Sequence, residues 1–242
     1  MTTYAYADAC SAAIYAKDAA GADVVVGTAV CLPPGLSDFL LLAAPLLQAG
    51  PRGISLGDRR QRIPIPAAFA TPTGPGGPPA WRTLKLGFTP FPPGHVSRLG
   101  ILPVAYDAID LDDAPPAPTY VLVVPDAEHA RAPSRAMTVV PASAEGYRTC
   151  GALAGTHLVG TIGPERGGRD LIGCGLWRRT VTGDLLRGIV VDIRPGLQDG
   201  RSYVVATHPC VCLLGMAHFL GIDSRQSPGD RPARRASVRR PD

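Results

Sequence analysis

Several residue types are scarce in this sequence of 242 residues, and one is missing. Asparagine is absent, and the only lysines are Lys17 and Lys85, so arginine supplies nearly all of the positive charge. This bias fits a very GC-rich genome, such as that of an actinomycete or a large DNA virus. Long apolar runs are also lacking. The longest, Phe39–Leu47, contains Pro45 and is too short to span a bilayer, so we expect no membrane segment.

The first ten residues lack the basic start and the apolar run of a secretion signal. We therefore expect an intracellular protein whose six cysteines are reduced thiols rather than a disulfide framework. The net charge is only +4, and much of it lies in the last twenty residues. The charge distribution therefore gives no indication of a groove for nucleic acid.

Glycine and proline are abundant, with 28 and 26 residues scattered along the chain. Hydrophobic residues make up 45% and charged residues 18%, which is a globular composition. Scattered proline favours many turns and short strands over long helices.

Short apolar or β-branched runs bounded by turn residues predict the strands. Leu36–Gln48 contains Pro45 in its interior, so we expect a strand there followed by an irregular segment. The other predicted strands are Ala22–Leu32, Ile54–Leu56, Ile63–Ile65, Trp81–Gly87, His95–Val104, Tyr120–Val124, Met137–Val140, His157–Ile162, Leu186–Ile193 and Tyr203–Leu214. This spacing predicts a mainly β protein with little helix, built as sandwiches or barrels.

The acidic, proline-rich stretch 107–118 reads as a linker between two halves. We therefore predict a first β-domain at 1–113 and a second at 114–222. Residues 223–242 are rich in arginine and poor in core residues, which predicts a disordered basic tail.

The order of motifs in the first half resembles that of the herpesvirus dUTPase family. A Leu-Pro-x-Gly turn at 32–35 precedes an apolar strand, and Gly-Ile-x-Leu-Gly-Asp at 53–58 follows. Asp58 and Arg62 match the Asp and Arg of the family's Asp-x-x-Tyr-Arg-Gly segment, whereas Gln61 replaces its Tyr and Ile63 its Gly. The Pro-Gly turn at 93–94 resembles the next family turn, with a strand after it.

The second half departs further from the family. Ala144-Glu145-Gly146-Tyr147-Arg148 resembles the family's Ala-Gly-Phe/Tyr-Asp motif, with Arg148 in place of the Asp. The segment 201–215 stands where a Gly-Arg-Ser-Ser motif would be, without the Ser pair that would hold phosphates. The family's last two motifs, including its glycine-rich arm, are absent.

The resemblance implies two dUTPase-like β-domains in one monomeric chain and hydrolysis of dUTP to dUMP and pyrophosphate with Mg²⁺. It assigns catalytic roles to Asp58 and Arg62 and substrate-binding roles to Gln61 and Tyr147. Because so many partners are replaced together, we expect the activity to be lost or severely weakened. The favoured hypothesis is a non-catalytic accessory protein that binds a viral or host protein in the host cytoplasm or nucleus. The alternatives are an active dUTP pyrophosphatase and an interaction protein of tegument type on an unrelated β-fold.

A second constellation, His208-Pro-Cys210-Val-Cys212, offers imidazole and thiolate groups. In a strand, Cys210 and Cys212 would point to one face, which a zinc site could use. The spacing is not the Cys-x₂-Cys of common structural sites, so the sequence predicts no metal ligands. It also contains no local signature of nucleophilic catalysis.

Overall fold

The computed structural model describes residues 4–32, 38–43, 46, 55–57, 62–65, 85–91, 94–110, 119–124, 135–152, 154–164, 169–195 and 200–210. The described chain is mainly β, as the sequence predicts. Its helices are α1 (Ala5–Ala9) and α2 (Ala144–Cys150), with short 3-10 helices at Ser97–Leu99, Tyr106–Ala108 and Arg169–Leu171. Its strands are β1 (Ser11–Lys17), β2 (Asp23–Leu32), β3 (Asp38–Ala43), β4 (Ser55–Gly57), β5 (Arg62–Pro64), β6 (Leu86–Phe91), β7 (Tyr120–Val124), β8 (Arg135–Pro141), β9 (His157–Ile162), β10 (Gly175–Arg179), β11 (Asp184–Pro195) and β12 (Ser202–Thr207).

The first six strands form an antiparallel sheet in the order β5-β4-β1-β2-β3-β6. At its centre is the hairpin of β1 and β2. Its turn is set by Asp18, whose carboxylate accepts hydrogen bonds from the backbone N–H groups of Ala20 at 2.9 Å and Ala22 at 2.8 Å. Gly21 has φ +80°, a left-handed conformation that glycine adopts without steric cost.

The last six strands close into a barrel in the order β10-β11-β12-β9-β8-β7. Closure pairs every strand on both sides and leaves no open edge. The longest strand, β11, contains two bulges. The pairing with β10 skips Arg187, and the pairing with β12 skips Val191. A bulge bends its strand and increases the local twist, which suits a small barrel.

The N-terminal sheet packs directly on the barrel through β2 and the segment 170–174. Thr28 N–H donates to the carbonyl of Ile172 at 2.8 Å, and the Cys174 thiol lies 3.4 Å from Thr28 Oγ1. The approach requires glycine at Gly173, where a Cβ would stand 1.7 Å from the carbonyl oxygen of Thr28. One hydrophobic core therefore contains buried residues of both sheets.

Most predicted strands are found in the structure, two of them with the same bounds. Tyr120–Val124 and His157–Ile162 agree fully, and Ala22–Leu32 agrees to within one residue. The Pro45-containing segment does hold a strand, β3, before residue 44. The predicted division at 113/114 stays a prediction, as does the tail, which lies outside the described residues.

The predicted strand His95–Val104 is wrong. Residues 94–110 form turns and 3-10 helices instead. Gly94 and Gly100 have φ of 73° and 75°, so the backbone leaves the extended region just before the predicted strand and again in its interior.

Val96, Ile101 and Val104 of this segment are still buried, which explains the misleading pattern, whereas Leu102 is 49% exposed. Val104 N–H donates to the carbonyl of Cys31 at 2.9 Å, and Leu102 N–H donates to that of Ala9 at 2.8 Å. These isolated hydrogen bonds hold the segment against α1 and β2 without a ladder.

The predicted strand Tyr203–Leu214 ends early. β12 stops at Thr207, and residues 209–210 begin a helical turn after His208. A proline at 209 has no N–H to give to a ladder. Cys210 is therefore not in a strand, and the premise that Cys210 and Cys212 share a strand face is wrong for Cys210.

Candidate functional site

Arg62, the predicted catalytic arginine, lies at the first position of β5 and is engaged by its own sheet. Its guanidinium carbon lies 4.4 Å from the centre of the Tyr15 ring, and its Nη1 forms an ion pair with Asp23. The opposite oxygen of Asp23 binds Lys17 Nζ at 2.9 Å. Lys17 and Asp23 are register partners that flank the turn of the β1–β2 hairpin.

The carboxylate of Asp23 is held in its charged form by this arrangement. Hydrogen bonds from Lys17 and then from Arg62 lower the pKa of Asp23 below its usual value. Asp23 is therefore ionised at neutral pH and balances the charge of Arg62. The cluster attaches the short strand β5 to the centre of the sheet.

The other two residues of the predicted catalytic segment, Asp58 and Gln61, lie outside the described residues. The carboxylate that the structure places beside Arg62 is Asp23, which sequence reasoning missed because the two are 39 positions apart. The only local signal was the opposite charge of Lys17 and Asp23 at the two ends of a hairpin turn.

Tyr147, the second predicted substrate-binding residue, lies on α2, which packs against one end of the barrel. Gly151 ends this helix in the left-handed conformation with φ +58°. Gly146 lets the helix approach the barrel, because a Cβ there would stand 3.1 Å from Tyr203 Cε1.

Tyr147 lines a cavity of about 120 Å³ between α2 and strands β7 to β10. The described lining residues are Tyr120, Val139, Pro141, Ala142, Tyr147, Leu158, Val159, Gly160 and Leu176. None of these carries a charge. A cavity of this size and lining suits an apolar group of about the size of a benzene ring, whereas a triphosphate needs cationic partners.

The structure therefore separates the predicted site residues that it describes. Arg62 belongs to the N-terminal sheet and is committed to Asp23 and Tyr15, whereas Tyr147 covers an apolar cavity at the barrel. These two residues do not share a sheet.

A buried ionic cluster anchors the end of segment 94–110 to the β10–β11 hairpin. The carboxylate of Asp110 is 1% exposed and lies 3.3 Å from Arg178 Nη1 and 3.4 Å from Arg187 Nη1. Arg187 is the residue that the β10–β11 register skips, so the bulge places its side chain toward the carboxylate. Removing one member of such a cluster would leave uncompensated buried charge.

His208 and Cys210 lie together just after β12. His208 Nδ1 is 2.8 Å from Cys210 Sγ and accepts a hydrogen bond from the Cys210 backbone N–H at 3.2 Å. Within the described part of the chain, no three His, Cys, Asp or Glu side chains are grouped as metal ligands. Cys212 lies outside the described residues.

Among the described helices, none is long and apolar enough to cross a membrane. Comparison with protein-family models found no matching family, and comparison with curated proteins found no match. The resemblance to the dUTPase family therefore stays a prediction drawn from the motifs.

Proposed function

We propose that this chain has a dUTPase-like β-fold and acts as a non-catalytic accessory protein, which binds a viral or host protein instead of hydrolysing dUTP. The fold part rests on the order of the sequence motifs. It is supported by the mainly β architecture, with one sheet in the first half and a closed barrel in the second.

The observation that carries the non-catalytic part is the environment of Arg62. The family resemblance would give this guanidinium to the nucleotide, yet here it already faces the Asp23 carboxylate and one side of the Tyr15 ring. An incoming phosphate would compete with a carboxylate that is ionised at neutral pH. Binding would therefore break an arrangement that stabilises the sheet.

The surroundings of Tyr147 support the same reading. A substrate-binding tyrosine of a nucleotide site would need polar or charged neighbours for the sugar and phosphates, whereas the residues around this cavity are uncharged.

The substitutions in the family motifs also support a loss of activity. Losing one well-placed electrostatic partner costs about 3 kcal/mol of transition-state stabilisation, and several are replaced here.

The test is pyrophosphate release from dUTP with Mg²⁺, comparing the wild type with Asp58→Ala. Asp107→Ala is a matched control, because Asp107 is exposed in a 3-10 helix of another segment. The proposal predicts that all three proteins release pyrophosphate at the same rate as buffer with Mg²⁺ alone.

Turnover by the wild type and Asp107→Ala that is lost in Asp58→Ala would instead establish an active dUTP pyrophosphatase. An additional Arg62→Ala variant then shows whether the arginine contributes to that turnover. A fall in kcat for Arg62→Ala, with unchanged unfolding behaviour, would contradict the structural role given to this residue.

A further inference from the structure

We propose that Cys210 and His208 form an activated thiol site that is covalently modified by small, uncharged electrophiles. The site is independent of the proposed dUTPase ancestry. It lies where β12 ends, beside the start of β9, and sequence reasoning found no nucleophile there.

The geometry is that of a nucleophile beside its base. The 2.8 Å between His208 Nδ1 and Cys210 Sγ is within the reach at which an imidazole takes a thiol proton. The Cys210 backbone N–H also donates to this nitrogen. Because Nδ1 accepts that bond, it carries a lone pair and not a proton, and the Cys210 thiol shares this acceptor with the backbone N–H. Transfer of the thiol proton to Nδ1 therefore displaces the backbone N–H.

The backbone holds the base in place. The His208 backbone N–H donates to the carbonyl of Thr156 at 3.0 Å, and His208 as a whole is 8% exposed. The neighbouring titratable group on β9 is His157, which contacts Thr156 Oγ1 at 3.1 Å. On β11, the register partner of Thr207 is the uncharged Ile189.

The other described cysteines are in the opposite situation. Cys10, Cys31, Cys150 and Cys174 are all buried, whereas Cys210 is only half-buried. Burial raises the pKa of Cys10 to about 11 and that of Cys174 to about 12, and it also raises the pKa of Cys150. These thiols stay protonated at neutral pH, so the chain contains its own unreactive references.

The chemical step is a substitution at the electrophilic carbon. The proton of Cys210 moves to His208 Nδ1, and the sulfur lone pair forms the S–C bond. The bond from carbon to the leaving group breaks, and the leaving group departs with its electron pair. The imidazolium then releases its proton to solvent, so no oxidant or reductant is needed.

The experiment measures the alkylation rate of each cysteine in the native full chain with iodoacetamide, by mass spectrometry, as a function of pH. Cys210 and Cys212 share one tryptic peptide, so a Cys212→Ser variant assigns the label. Parallel reactions are run with and without a metal chelator. We expect Cys210 to react about tenfold faster at pH 7 than an ordinary thiol, with an apparent pKa below the usual value of about 8.5.

The His208→Gln variant keeps an acceptor for the backbone N–H but cannot take the thiol proton. We expect its Cys210 rate at pH 7 to fall about tenfold and its apparent pKa to return to about 8.5. Faster alkylation of Cys10 and Cys174 would show that this variant is misfolded. The wild-type pH profile would then be the test of the proposal.

The proposal is overturned if wild-type Cys210 titrates at or above about 8.5 or reacts no faster than the buried thiols. It is also overturned if the chelator is required for labelling, since Cys210 would then be a metal ligand. Equal alkylation rates of Cys210 in wild type and in a folded His208→Gln variant would show that His208 does not activate the thiol.

Discussion

Lys85 Nζ lies 2.7 Å from Asp192 Oδ2, and this ion pair joins the segment before β6 to β11 of the barrel. Lys85 is the only described residue other than glycine with a positive φ, at 51°. Its partner Asp192 follows the bulge residue Val191, and Arg194 Nε adds a contact to the same oxygen at 3.3 Å. The N-terminal sheet and the barrel are therefore connected by charge as well as by packing.

The pH dependence of stability should reveal this connection. Burial raises the pKa of Asp192, but hydrogen bonds and charges from Lys85 and Arg194 outweigh it, so the pKa is lower than in the unfolded chain. The stabilisation is therefore present above the unfolded pKa of about 3.9 and is lost as the pH falls through the folded value. Urea denaturation at pH 7 should show Asp192→Asn to be less stable than wild type.

As the pH falls from 6 toward 3, the free energies of unfolding of wild type and Asp192→Asn should converge. Asp107→Asn makes the same change at an exposed position and should follow the wild-type curve. Parallel curves for wild type and Asp192→Asn across this range would show that the ion pair does not stabilise the fold.

The stacking of Arg62 on Tyr15 should distinguish arginine from lysine. Arg62→Lys keeps a positive charge for Asp23 but loses the planar guanidinium over the ring. We expect a loss of about 0.5–1 kcal/mol in the free energy of unfolding, measured by urea denaturation. Arg148→Lys, on the exposed side of α2, should have no measurable effect. Equal effects of the two substitutions would contradict the role of the stacked contact.

Gly173 should tolerate no side chain. It has φ +86°, and a Cβ would meet the Thr28 carbonyl oxygen at 1.7 Å. Gly155 is the matched control, because its φ is +88° and a Cβ there meets nothing within 4 Å. We expect Gly155→Ala to cost about 1–2 kcal/mol for the backbone conformation alone, and Gly173→Ala to cost substantially more. Similar melting temperatures for the two variants would contradict the close packing of sheet on barrel.

The cavity beside Tyr147 should accept a small apolar molecule. Near-saturated benzene should raise the melting temperature by about 2–4 °C, which corresponds to about 1 kcal/mol of binding to the native state. Ala142→Leu, which places carbon atoms in the cavity, should abolish the shift, whereas Ala144→Leu on the exposed side of α2 should retain it. A shift that survives in Ala142→Leu would place the benzene elsewhere.

The sequence predicted strands well where β-branched runs meet clear turn residues. Val24, Val25 and Val26 in β2 and the valines of β7 are such cases. It missed β1, whose alanines have low strand propensity and which is fixed by its position between β2 and β4. The sequence also predicted a strand at His95–Val104, because the pattern of apolar residues cannot distinguish a buried strand from a buried segment that packs against a sheet.

The site was less predictable than the fold. Arg62 was singled out from its motif, but its true partners Asp23 and Tyr15 come from strands distant in sequence. The contact of His208 with Cys210 depends on where β12 ends, and a one-dimensional pattern placed that end too late. Side-chain pairings across strands require a register, which the sequence alone does not provide.

The most direct test of the proposed non-catalytic function is whether the native chain binds a non-hydrolysable dUTP analogue with Mg²⁺. Thermal unfolding at increasing analogue concentration is sensitive, since a hundredfold excess over Kd stabilises the native state by about 2.7 kcal/mol. We expect the analogue to leave the melting temperatures of wild type and of Arg62→Ala unchanged. A concentration-dependent rise that Arg62→Ala removes would show a working nucleotide site and contradict the account.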